Sequence, residues 1–197
     1  MESDSGTVMV RVMEIQDGST KTKEIIMEMP VRDGFLKWEG TCCLLAAVFE
    51  RYGKGQAVGY GLVTGDCHKR GAVATSYAHD CHNILVAGAH PADMKLALNR
   101  VIEMQGGICA ASGGRLLTQV PLPLAGLLSP ERPETLLAQL RAFLSDCARM
   151  GFHHKDLMSF FTIMPLAVSP EIKCTDRGLV DVAHKRFLPL IEERRGS

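Results

Sequence analysis

The sequence predicts an α+β fold, with mostly antiparallel strands and two main helices laid against them. Three observations carry that prediction. The first 65 residues run in short, alternating apolar stretches broken by turn residues. Glycines 53, 55, 59, 61, 65 and 71 punctuate further short candidate strands. Two later segments, about 91–105 and 134–150, repeat apolar residues at helical spacing and close on glycine.

Each element follows in chain order. Residues 7–15 (TVMVRVMEI) alternate as a strand, and 16–19 (QDGS) turn it. Residues 22–31 read as its partner, with Ile25, Met27 and Met29 on one face and Pro30 at its edge or end. Asp33-Gly34 is a hairpin signal. Residues 42–49 are almost wholly apolar, which fits a strand buried on both faces or a short core helix. Residues 57–63, 72–77 and 84–86 are short strands.

Pro91 suits the first turn of a helix whose stripe is Met94, Leu98, Val101 and Met104, ended by Gly106-Gly107. Residues 108–111 and 116–120 flank Ser112-Gly113-Gly114 as a hairpin. The second helix has the stripe Leu136, Leu140, Phe143, Cys147 and Met150, which reads as core packing, and Gly151 closes it. Residues 159–189 are expected to form a strand and then a loop carrying Glu171, Lys173, Thr175, Asp176 and Arg177. No repeat, low-complexity tract or long linker divides the chain. A single domain over 1–197 is expected, with its ordered core at about 7–190.

Composition narrows the function classes. Of 197 residues, 46% are hydrophobic, enough for a sizeable core. The 22 basic and 22 acidic residues cancel, so nucleic acid is not an expected partner. No apolar run approaches the ~20 residues of a membrane span. The start, MESDSGTV, lacks the basic and apolar regions of a signal peptide. Seven cysteines, an odd number without CxxC spacing, imply free thiols in a reducing compartment, and a cytoplasmic protein.

The stretch 78–90, AHDCHNILVAGAH, concentrates the polar chemistry. In an extended strand His79 and His82 would face opposite ways. A bend across Asp80-Cys81 would bring both imidazoles to one side. Imidazole, carboxylate and thiolate are competent ligands for zinc, iron or manganese, and His90 would complete a four-ligand set if the chain doubled back. The competing reading is a turn tied off by backbone hydrogen bonds. Glu50-Arg51, Lys69-Arg70-Gly71 and Thr175-Asp176-Arg177-Gly178 are further charged segments, each open to a solvated or capping role. A P-loop, GxGxxG, GxSxG and the metal signature of a hydrolase barrel are absent from the sequence.

The segments AVFERYG, GYGLVTG, KRGAVATSYAHDCHNILVAG, DMKLALNRVIEMQGG, LPLAGLLS and MPLAVSPEIKCTDRGLVDV occur in the order in which they stand in a known family. Over about residues 10–182 the chain resembles the C-terminal domain of bacterial adenine deaminases. The resemblance implies full-length enzymes in which an amidohydrolase barrel precedes this domain, binds the catalytic metals and hydrolyses adenine to hypoxanthine and ammonia. Metal-activated water attacks C6 of the purine. Matching positions are Glu50 and Arg51; Lys69, Arg70 and Gly71; His79, Asp80, His82 and Asn83; and Thr175, Asp176, Arg177 and Gly178. Tyr52 stands where a histidine is common and Cys81 replaces a serine. Asp66-Cys67-His68 and Ala89-His90-Pro91 also depart from the family.

The chain is then expected to be an accessory domain, inactive alone, or a standalone purine-, metal- or partner-binding module of the same fold. A small metal-dependent enzyme built on 79–82 ranks below both. The expected partners are a barrel domain or chain, adenine or another purine, and a second copy in a homodimer. A flat apolar docking surface is expected, and any cofactor would be a divalent metal.

Overall fold

The computed structural model describes residues 6–65 and 70–192. Strands β1 (Gly6–Ile15) and β2 (Thr22–Arg32) pair antiparallel, and β3 (Phe35–Leu36) folds back on β2. Asp33 and Gly34 at that turn have φ of 54° and 77°, the positive values that a tight two-residue hairpin requires. Strands β4 (Leu44–Phe49), β5 (Val58–Thr64), β6 (Ala72–Thr75) and β7 (Ile84–Gly88) form the centre of the molecule. Helix α1 (Pro91–Glu103) leads to the hairpin β8 (Gly107–Ser112) and β9 (Arg115–Pro121). Helices α2 (Pro133–Met150) and α3 (Leu157–Thr162) follow. The chain then forms β10 (Ile172–Thr175), β11 (Gly178–Asp181), β12 (Arg186–Leu188) and β13 (Ile191–Glu192).

The main sheet runs β3-β2-β1-β5-β4-β7-β6-β8-β9, with β13 added to β1. Its pairs are antiparallel except β1 with β5. The remaining strands form a small sheet, β10-β11-β12. The α+β expectation and both main helices hold, and the apolar run 42–49 resolves as the strand β4.

Side-chain alternation explains why the central strands look apolar throughout. Leu85 and Ala87 of β7, Val73 of β6, and Ile108 and Ala110 of β8 join one core, with Phe143, Cys147 and Met150 of α2. Their neighbours Ile84, Val86, Ala72, Ala74, Cys109 and Ala111 join another, under Met94, Ala97 and Val101 of α1. A strand covered on both faces needs apolar residues at every position. The buried aromatics Phe143, Phe152, Phe160 and Phe161 concentrate on the α2 side. Helix α1 is fastened at its start, where the buried Asp93 accepts hydrogen bonds from the amides of Gly113 (3.1 Å) and Gly114 (2.8 Å) in the β8–β9 turn.

The expectation for 159–189 needs correction. Ser159 lies in α3, whose N-cap Asp156 accepts from the Ser159 amide at 3.0 Å. The supposed loop is a hairpin, in which Lys173 is wholly buried and only Asp176-Arg177 form the turn. The run SFFTIM has neither a two-residue nor a helical period, because five of its six residues, 160–164, are buried.

Glycines 59 and 61 have a role besides turning the chain. A Cβ on Gly59 would stand 1.9 Å from the Thr175 carbonyl oxygen and 2.4 Å from the Gly178 nitrogen. One on Gly61 would stand 2.9 Å from the Leu179 side chain. The small sheet therefore lies directly on the backbone of β5.

Candidate functional site

Strands β4, β6 and β7 each have one end where polar segments gather. β4 ends at Phe49, paired with Ile84 at the start of β7, so Glu50-Arg51 emerges beside His82-Asn83. β6 ends at Thr75, and Ser76 and Tyr77 lead into the same turn. Residues 79–81 form that turn, closed by the His82 amide donating to the Ala78 carbonyl at 2.7 Å. His82 has φ of 48°. The bend brings the two imidazoles to one side, with ring centroids 5.8 Å apart and the Tyr77 ring 5.2 Å from His79 and 6.2 Å from His82.

Arg51 holds the turn in place. Its Nε donates to the His82 carbonyl, and Nη2 donates to the Ala125 carbonyl at 2.7 Å and to Tyr52 Oη at 3.3 Å. The guanidinium fits because residue 126 is glycine: a Cβ there would come within 2.7 Å of it. Ser76, fully buried, links the same loop to the sheet. Its hydroxyl donates to the Gly126 carbonyl at 2.6 Å and accepts from the Gly107 amide at 2.8 Å. The segment LPLAGLLS thus supplies backbone acceptors to the site. Sequence reading passed over Ser76, Tyr77 and Gly126, although the glycine and serine lay inside segments that carried the resemblance.

Electrostatics distinguish the members of the turn. Burial lowers the His82 pKa, helped by the nearby His79 ring and the Arg51 guanidinium, so a neutral imidazole is favoured. Cys81 is exposed as a residue, yet desolvation of its thiol raises the pKa, and the carboxylates of Asp176 and Asp80 add to the effect. The thiolate that made Cys81 attractive as a ligand or nucleophile is therefore disfavoured. The influence of Asp176 also shows that the β10–β11 turn reaches this end of the sheet. Arg177 points elsewhere, its guanidinium 4.9 Å from the centre of the Phe187 ring.

His90 does not join the cluster. β7 runs straight between His82 and His90, and five residues at about 3.3 Å each separate them by roughly 17 Å or more. His90 is the N-cap residue of α1, exposed and without a side-chain capping bond. Arg70 lies at that same far end, where the Ala89 amide donates to the Gly71 carbonyl at 2.9 Å. Lys69 lies outside the described residues. Among the described residues, no three His, Cys, Asp or Glu side chains are grouped to hold a metal ion. The four-ligand set expected from 79–90 does not fit this fold.

A cleft of about 360 Å³ opens beside the turn, lined by Glu50, Arg51 and Ser76 and walled by Phe49, Ile84 and Val101. Three polar atoms here are buried without a hydrogen-bond partner among the described residues: Glu50 Oε2, His82 Nδ1 and Asn83 Oδ1. Such atoms cost free energy unless something meets them.

The model of the adenine deaminase C-terminal domain family matches residues 19–186. The chain belongs to this family. It is 40% identical over 185 residues to adenine deaminase 2 of Shouchella clausii, a match covering 94% of this chain and 32% of the relative. Adenine deaminase of Clostridium perfringens (strain ATCC 13124) is 38% identical over 182 residues, 92% of this chain and 32% of the relative. The adenine deaminase of Staphylothermus marinus is 35% identical over 190 residues, 95% of this chain and 31% of the relative. The chain spans about 32% of the length of the first two relatives. In this adenine deaminase C-terminal domain, the segments 79–83 and Glu50-Arg51 meet at one sheet end, and the turn at Asp176 reaches it.

Proposed function

We propose that this chain is the accessory C-terminal domain of an adenine deaminase, acting with a metal-binding barrel domain or chain in the hydrolysis of adenine to hypoxanthine and ammonia. The observation that carries the reading is the match itself, nearly the whole of this chain against about a third of enzymes named adenine deaminase. The chemistry then belongs to the barrel, whose metals would be manganese, iron or zinc. This domain contributes the polar turn, where exposed His79 and Asp80 stand on a bend braced by Arg51.

The fold also offers a seat for a larger partner. A groove of about 270 Å³ beside α1 is lined by Leu45, Phe49, Tyr60, Met94 and Leu98, and is almost wholly apolar. It shares Phe49 with the cleft beside the turn, so a barrel seated in it would border that cleft. Without a barrel, the same groove favours a homodimer of the isolated chain. Cys42, Cys81, Cys109, Cys147 and Cys174 are free thiols, which suits the cytoplasm.

The decisive experiment is ammonia release from adenine by three preparations, each supplied with manganese, iron or zinc. These are the chain alone, the Shouchella relative truncated before its matching C-terminal third, and that relative with this chain fused in place of the third. The chain alone is expected to be inactive, and the fusion is expected to exceed the truncation. Metal-dependent turnover by the chain alone, abolished by His79→Ala, would move the chemistry into the turn and overturn the reading.

A further inference from the structure

We propose that the end face of the sheet around the turn 79–81 is the surface on which the preceding two thirds of an adenine deaminase docks. The identity of that occupant rests on the accessory-domain reading, whereas the choice of face comes from the direction of the strands. β4 ends at this face with Phe49, and its antiparallel partner β5 starts there with Val58. β1 runs parallel to β5, with Val12 beside Leu62 and Glu14 beside Thr64, so β1 also starts at this end, at Gly6. A C-terminal domain follows the rest of its enzyme, and about two thirds of the length of the relatives lies outside the match. That body is therefore joined at the end of the sheet that carries the turn, away from Arg70 and His90.

Its size lets it reach the turn. β13 stands beside β1 at Met9 and Val10, so about four strand spacings, roughly 20 Å, separate Gly6 from the turn after β6. A body about twice the length of this chain is on the order of 50 Å across, enough to cover that span.

The face itself suits a protein partner. Tyr52, Ile102, Leu124 and Leu128 are exposed at this end, together with the exposed polar pair His79 and Asp80. Arg51 holds both Tyr52 and the 124–128 loop, and Ile102 lines the same cleft as Arg51. Large apolar side chains left in water beside polar ones mark an interaction surface. Arg51 and Ser76 already fix its backbone, so docking has little chain to order. The apolar groove beside α1 opens from the same end, at Phe49, and extends the surface.

The test is hydrogen exchange on this chain alone and on the fusion in which it follows the leading two thirds of the Shouchella relative. Amides at 52–53, 79–81 and 124–127 are expected to exchange about tenfold more slowly, or slower still, in the fusion. Amides at 89–90 and 113–115, at the other end, should keep their rates. Leu128→Asp, at a 64% exposed position, should return the protected amides to the rates of the chain alone while leaving its thermal unfolding unchanged. Leu116→Asp, exposed at the far-end start of β9, should leave the protection intact.

Protection at the far end, free exchange at the turn, or protection that survives Leu128→Asp would each overturn the proposal. An active fusion whose turn exchanges freely would overturn the docking face and leave the accessory reading standing. Turnover by the chain alone would overturn that reading whatever the exchange shows.

Discussion

The two ends of the central strands β4, β6 and β7 differ in what they gather. At one end, Glu50-Arg51, the turn 79–83, the Ala125-Gly126 loop and the β10–β11 turn converge, tied by Arg51 and Ser76. At the other, Arg70 and His90 stand exposed on separate connections, and His90 makes no side-chain cap. Both ends drew attention in the sequence because both carry histidine or arginine. The difference teaches that a charged residue becomes part of a site when neighbouring backbone needs it. Arg51 has carbonyls to satisfy, and His90 has no capping bond to make among the described residues.

Gly59→Ala should break the contrast most severely. The new methyl would collide with the Thr175 carbonyl, forcing the β10–β11 turn away from the site end. A loss of about 3 kcal/mol is expected from such overpacking against backbone. Denaturant unfolding measures it, and a loss below 1 kcal/mol would mean that the small sheet is not anchored on β5.

Arg51→Ala comes next. It leaves the His82 and Ala125 carbonyls without their charged donor, and about 2 kcal/mol should be lost. Hydrogen exchange should quicken at the His82 amide while the Ala89 amide at the far end stays protected. Equal changes at both ends would refute the clamp.

Lys173 offers a pH test of the hairpin that carries Asp176. Burial lowers its ammonium pKa from 10.5 to about 8. Between those values the unfolded chain binds more protons than the folded one, so stability should rise with pH from about 8 to 10.5. Below pH 8 the buried charge opposes folding. Lys173→Met should remove that part of the rise, and an unchanged slope would show that the lysine reaches water.

The smallest effect belongs to the far end. His90 has the extended backbone of an N-cap, φ −136° and ψ 131°, without a capping side chain. His90→Ser should add roughly 0.5–1 kcal/mol in thermal unfolding. A loss instead would assign His90 a contact that the fold does not display.

Local patterns made most of the elements legible. The Asp33-Gly34 turn, Pro91 at the head of α1 and Gly151 with φ of 92° at the end of α2 each obey a rule acting within a few residues. Helix α3 and the β10–β11 hairpin were not legible, because most residues of α3 and β10 are buried and β10 carries the buried Lys173, so burial there does not follow a simple apolar period. The candidate site was half legible. The bend at Asp80-Cys81 could be anticipated from the polar run itself. The exclusion of His90 could not, since it depends on β7 continuing straight, and neither could Ser76, whose partners lie 31 and 50 residues away.

By itself, then, the sequence determined the α+β class, the two main helices, the polar turn and the family, because these rest on local spacing and on segments standing in a recognisable order. The tertiary structure alone decided which charged segments meet. It placed Arg51 under the turn, set Asp176 near Cys81, separated His90 from His82, and left Glu50 with a buried oxygen that has no partner among the described residues. Those outcomes follow from strand register and from backbone packing at Gly59 and Gly126, and both are set by contacts far apart along the chain.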